Sequence, residues 1–331
     1  MCALYSAAVW SAHSFGEETV LYKYVIKRLL LMIPILLGVI LIVFTIMNIT
    51  PGDPGRQMLG MSASQEAVDA LNESLGYNDP FPVRLFNYLK SLMRLDFGNS
   101  YRTNQPVFDE IIHRFPVTLK LAIGTMIVTI LLGIPLGVLA AVRQYSKLDM
   151  ISTFTALLLA AAPTFWLALL MMLLFSLHLG WLPPNGSDSF PCYIMPVLTQ
   201  AVVYAASTLR MTRTTMLEAI RQDYVRTARG KGASEARVIW GHAIKNAMLP
   251  VITSLGMSFG SMLGGTIVIE QVFGMSGLGS LVITAITTKD IPQTMAVTIF
   301  LAAMFCVIML VVDLLYAFID PRVKARYTQG R

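Results

Sequence analysis

Hydrolysis, metal binding and intramembrane proton chemistry each demand particular residues at particular spacings, and this chain offers few of them. Gly230-Lys231 lacks the glycine five residues upstream that a GxxxxGK[ST] phosphate cradle requires, and HExxH is absent. Cys2, Cys192 and Cys306 form no CxxC pair, and His13, His113, His178 and His242 fall in four separate segments. Thioether ligands suit soft metals, but the 20 methionines are better read as adaptable packing filler. Two acidic residues occupy apolar surroundings: Glu270 closes the fifth apolar run and Asp313 lies within the sixth. Acids placed in a membrane are functional candidates. These two are too far apart in sequence to be taken as a catalytic pair, so each is expected to be a gate residue or a structural partner. No catalytic residue, metal site or cofactor site is expected.

The surroundings of these residues set the class. Of 331 residues 55% are hydrophobic and 13% charged, and the mean hydropathy is +0.64. A soluble domain carries about a quarter charged residues. The chain therefore reads as an all-α polytopic membrane protein. Its net charge of +6 and pI of 9.2 would suggest nucleic acid in a soluble protein, but the Lys and Arg sit mainly at the ends of apolar runs, where they orient spans instead.

Six spans follow in order: Leu29 to Ile49, Thr118 to Val142, Ile151 to Leu179, Ile194 to Met211, Leu249 to Ile269 and Thr294 to Ile319. Residues 1–22 form an N-terminal tail without the basic n-region of a secretory signal, read either as disordered and cytoplasmic or as lying ahead of a true start near Val20 or Leu21, and 23–49 carry the first span. Residues 50–116 make a long external segment, charge-balanced, with helices expected after a Ser62/Gln65 capping box, from Pro82 towards Arg94, and from Pro106. The second of these carries Leu85, Phe86, Leu89, Leu92 and Met93, enough apolar surface to lie on the bundle or at the lipid interface. Gly133 and Gly137 in the second span admit a close neighbour, and Pro135 and Pro163 permit bends. Glu270 to Pro292 is too polar and glycine-broken to span, so it is expected to be a short external or re-entrant segment against the bundle. Lys23, Lys27 and Arg28 at one terminus and Arg322, Lys324, Arg326 and Arg331 at the other place both in the cytoplasm, with 322–331 a cytoplasmic tail.

Gly256, Gly260 and Gly264 recur every fourth residue of the fifth span, making one face nearly free of side chains. Either a helix of a second chain or a neighbouring helix of this one could pack there.

The polar stretch from Asp223 to Pro250 carries too many charges for hydrocarbon and must lie in water. Tyr224, Thr227 and Ala228 share a helical stripe, Gly230 and Gly232 interrupt it, and Ser234 can cap a second helix. An ordinary basic loop would explain the charges alone. The sequence, however, resembles the cytoplasmic EAA loop of binding-protein-dependent ABC importer permeases. Arg226, Thr227 and Ala228 stand at the Glu-Ala-Ala triplet, Gly232 at the glycine six residues after its first position, and Leu249-Pro250 at the closing Leu-Pro. Arg for Glu, Thr for Ala and the longer reach from Gly232 to Leu249 resemble the branch importing dipeptides, oligopeptides and nickel. PGDP (Pro51 to Pro54), LDFGNSYRTNQPV (Leu95 to Val107), GWLPPNG (Gly180 to Gly186), VFGMSGLGSLV (Val272 to Val282) and DLLYAFIDPR (Asp313 to Arg322) extend the similarity over nearly the whole chain from Tyr22.

The resemblance implies a transmembrane domain over 117–321 with a coupling loop at 217–248, between the fourth and fifth spans. It implies a bacterial plasma-membrane permease, not an enzyme, that passes dipeptides or oligopeptides, with nickel as the alternative cargo. A second homologous permease, two cytoplasmic ATPase subunits, an external substrate-binding protein and membrane lipid are the implied partners, and nucleic acid is not. Tyr224, Arg226, Thr227, Ala228, Gly232 and Ala233 would couple to an ATPase. A channel or secondary transporter working without ATPases is the competing class, for which intramembrane charge relays and repeated halves are not evident.

Overall fold

The computed structural model describes residues 2–49 and 52–319. Apolar runs with no internal strand signal fold as helices, since in hydrocarbon only helices and closed barrels satisfy their own backbone. Helix α1 (Cys2–Ile49) contains the first span, Arg28–Ile49. Its backbone is helical from Cys2, where the sequence suggested a disordered tail. Three short helices follow: α2 (Pro54–Leu59), α3 (Gln65–Ser74) and α4 (Phe81–Leu92). The cap of α3 is Ser64, not Ser62: its hydroxyl accepts from the Ala67 amide at 3.3 Å. Asp53 caps α2 and also accepts from Asn72 Nδ2 at 2.8 Å, while Asn72 Oδ1 accepts from the Gly55 amide. That side-chain bond from Asn72 is the main reason the Asp53 carboxyl is held below its ordinary value. Asp53 and Gly55 are thus pinned to α3.

The helix expected from Pro106 does not end before the membrane. It fuses with the second span as α5 (Val107–Val142), with Pro106 just ahead of its first turn and Pro116 and Pro135 inside it. The third span is broken. Helix α6 (Lys147–Ala161) and α7 (Thr164–Met171), the latter continued by a π-helical turn over Met172–His178, meet at 104°. Pro163 has no amide to continue the ladder and holds Ala162 in extended backbone, which stops α6 there.

Helix α8 (Pro191–Ile220) is followed by α9 (Asp223–Gly230). The second helix of the polar loop is not separate from the fifth span. Helix α10 (Glu235–Arg237) runs through a π-helical turn at Val238–Ala243 straight into α11 (Ile244–Val272). Helix α12 (Leu278–Thr287) buries Leu278, Leu281, Val282 and Ala285 against the bundle, in keeping with the expected non-spanning segment, and α13 (Ile291–Ile319) closes the fold.

Among the described residues, five helices are long and apolar enough to cross a membrane, and the count is six when the bent α6–α7 pair is taken as one span. Helices α5 and α8 form the centre of the bundle. Gly133 and Gly137 are the reason they approach so closely: a Cβ at Gly133 would lie 2.7 Å from Thr208 Cβ, and one at Gly137 would lie 2.7 Å from the Leu209 carbonyl. Helix α1 stands at the periphery, with 11% of its apolar window buried.

Candidate functional site

The polar loop is built from a helix, a tight reversal and a second helix. Helix α9 ends in a Schellman arrangement: the Gly232 amide donates to the Arg229 carbonyl at 2.9 Å and the Ala233 amide to the Ala228 carbonyl at 3.2 Å. Gly232 holds φ +79°, the left-handed region that disfavours a side chain. Arg229 bridges the reversal through Nε and Nη2, which donate to the two Glu235 carboxylate oxygens at 2.7 and 3.2 Å. This bidentate bond raises the Arg229 pKa and lowers that of exposed Glu235.

The loop has two faces. Val225 is fully buried and, with Val238, Ile239 and Ala243, joins one hydrophobic cluster with Val138 and Ala141 of α5 and Met216 and Ala219 of α8. Ala228 and Ala233, expected on the docking shoulder, are half-buried and pack against that cluster. Tyr224, Arg226, Thr227 and Gly232 remain on the exposed face, and no atom of the chain lies within 4 Å of where a Gly232 Cβ would stand. The reason is helical geometry: Val225 and Ala228 are three apart, so the stripe facing the bundle cannot also face outward.

The other candidates lie elsewhere. Glu270 is completely buried near the end of α11 and accepts from Thr118 Oγ1 at 2.7 Å and from the Ser280 amide at 3.0 Å. Thr118 in turn accepts from the Leu278 amide, so carboxylate and hydroxyl together satisfy the first amides of α12. The glycines of VFGMSGLGSLV make room for this: a Cβ at Gly277 would collide with the Glu270 carboxylate, and one at Gly279 would come within 2.6 Å of Ile267 Cα. Asp313 pairs with Arg28 of α1 at 2.7 Å. The two acids thus have separate partners, and neither faces the other's. Of the glycine stripe, Gly256 packs on Val312 and Gly260 on Phe305, both of α13 in the same chain, whereas a Cβ at Gly264 would meet nothing within 4 Å. Gly256-Met257-Ser258-Phe259-Gly260 also spells GxSxG, but it runs mid-helix in α11, without the strand-to-helix elbow a nucleophile of that kind needs.

Two polar ties went unnoticed in the sequence. Asp149 is buried and takes Arg213 Nε at 2.5 Å and Nη2 at 2.9 Å, fastening α6 to α8. At the other end of the bundle, Asp290 accepts from the Ser100 hydroxyl and from the Tyr101 amide at 3.2 Å, fastening the long segment after α1 to the start of α13. Both carry a local signal. Ser146-Lys-Leu-Asp149 has capping-box spacing, and Asp290 precedes Ile291-Pro292 as a capping residue precedes a helix with proline in its first turn.

Comparison with known proteins decides the family. Residues 133–325 match the binding-protein-dependent transport system inner membrane component family, and residues 21–122 match the N-terminal model of membrane components of such systems. The chain belongs to this permease family. The dipeptide transport system permease protein of Alkalihalophilus pseudofirmus is 38% identical over 329 residues, covering 91% of this chain and 99% of that protein. The glutathione transport system permease protein of Salmonella choleraesuis is 40% identical over 302 residues with the same coverage. Among solved structures, the inward-facing MetNI methionine ABC transporter aligns with a TM-score of 0.54 at 16% identity, over 63% of this chain and 96% of that one. At that identity the likeness concerns the fold, which is the all-α polytopic fold of a transport permease. The protein is a multi-pass inner-membrane permease and not an enzyme.

Proposed function

We propose that this permease forms, with a second homologous permease, the passage of an ABC importer for dipeptides or short oligopeptides. Two cytoplasmic ATPase subunits drive it and an external binding protein delivers the cargo. Both termini and the α9–α10 loop face the cytoplasm, and residues 50–116 face outward, as the distribution of Lys and Arg indicates.

The observation that carries the reading is the two-faced loop. Its exposed face offers Tyr224, Arg226, Thr227 and the bare Gly232 to a partner, and its buried face is continuous with the helices that cross the membrane. Such a part receives a push from one side and delivers it to the other. Small-peptide cargo is supported by the named substrates of the dipeptide and glutathione relatives, since glutathione is itself a tripeptide.

The complete complex, purified with its partners and reconstituted in proteoliposomes, tests this. Uptake of a labelled dipeptide is expected to require ATP and binding protein, and to stop when Tyr224 and Arg226 are both replaced by Ala. Uptake without ATP would indicate a channel or secondary transporter. Uptake of nickel with none of peptides would overturn the cargo.

A further inference from the structure

Helix α4 lies beside the first span instead of beyond its end. Phe44 of α1 meets Phe81 edge-on at 5.4 Å between ring centroids and Tyr88 at 5.7 Å. Phe44 precedes the end of α1 at Ile49 by about one and a half turns, or about 7 Å of rise. The aromatic face of α4 is therefore held at the depth where hydrocarbon gives way to lipid headgroups.

At that depth α4 is only half covered. Leu85, Tyr88 and Leu89 are partly buried, whereas Phe86 is 68% and Met93 82% exposed. With about 100° between successive residues, continued through the C-cap Met93 and the turn at Arg94, Phe86 and Met93 fall side by side on one flank of the covered face, and Lys90 and Arg94 on the next flank outward. From Phe81 to Arg94 the sequence has three basic residues, Arg84, Lys90 and Arg94, and no acidic one. An apolar flank bordered by one that carries Val83 and only basic charges suits the boundary between acyl chains and phosphates, where long cationic side chains snorkel outward.

We propose that α4 is an interfacial membrane helix. Phe86 and Met93 enter the acyl region of the leaflet reached by the end of α1, and Lys90 and Arg94 engage phospholipid phosphates. The long loop is thereby anchored to lipid as well as to the bundle.

The assembled complex in bilayers provides the test. Nitroxide labels at Phe86→Cys, Met93→Cys and, as the water-facing control, Asn87→Cys are placed in a background without native cysteines. Labels at 86 and 93 are expected to show more collision with oxygen, which concentrates in hydrocarbon, and less with a water-soluble paramagnetic chelate than the label at 87. Adding Lys90→Gln with Arg94→Gln should raise chelate collision at 86. Equal chelate collision at 86 and 87 would place the flank in water, and protection of 86 from both reagents would mean that a protein partner covers it. Either result overturns the proposal, and an unchanged depth in the Gln double variant overturns its headgroup part.

Discussion

Gly232 illustrates how one residue can serve two constraints that must be separated experimentally. Its left-handed backbone disfavours any ordinary side chain by about 1–2 kcal/mol, so a bulky replacement would disturb the α9 reversal whatever docks there. Yet the chain leaves open space around it, and within this subunit a side chain of tolerant backbone preference has room. Asn is that residue, since it enters the left-handed region readily. Gly232→Asn is expected to preserve insertion and complex assembly while lowering the ratio of peptide transported to ATP hydrolysed, because its side chain stands on the exposed shoulder. Measured coupling equal to the native complex would show that no partner approaches Gly232 closely. The position itself was legible from sequence, as a glycine after a helical stripe. The inward turn of Ala228 and Ala233 was not, because small size marks close approach without saying to which neighbour.

Whole elements were legible to the extent that hydropathy defines them. Five of the expected spans are each one helix, the third is a bent pair, and the segment from Glu270 to Pro292 lies against the bundle. What escaped is how elements join. Hydropathy has no direction, so it could not give the 104° bend after Ala161, though Pro163 marked its place. Nor could it show that α10 runs into α11, because a polar turn of helix and the apolar span after it differ in composition and not in backbone. The glycine stripe raises the same issue of neighbours. Gly256 and Gly260 are filled by α13, while Gly264 opens outward. In lipid, packing rather than burial drives association, so an added side chain obstructs without a compensating hydrophobic gain. Gly260→Leu would force about 1–3 kcal/mol of overpacking against Phe305 and is expected to lower the thermal stability of this subunit in detergent. Gly264→Leu should leave that stability unchanged and weaken retention of the second permease during purification. Full retention would locate the permease pair contact away from Gly264.

At the scale of the molecule, polar and apolar ties at both ends hold the helices to one another. At one end Asp290 ties the Ser100 loop to the start of α13, and Glu270 ties α11 to α5 and to the start of α12. Near the other, Asp149 with Arg213 locks α6 to α8, and the Val225 cluster joins the exposed loop to α5, α8 and α11. Helix α9 thus meets the bundle through apolar packing of the Val225 cluster as well as through the hydrogen-bonded turn at Arg221-Gln222. Val225 is the single fully buried residue of α9, and truncating it removes that contact without altering the exposed face. Val225→Ala should cost about 2 kcal/mol locally, from lost transfer energy plus the cavity left behind. The expected outcome is a complex that assembles and hydrolyses ATP but imports less peptide per ATP, with the slack located between α9 and α5. Hydrogen exchange would show it as faster exchange of α9 amides, with α5 and α8 unchanged. If α9 exchanges faster and coupling stays intact, motion must travel through α10 and α11 alone, and the continuous helix from Glu235 to Val272 becomes the lever in place of the cluster.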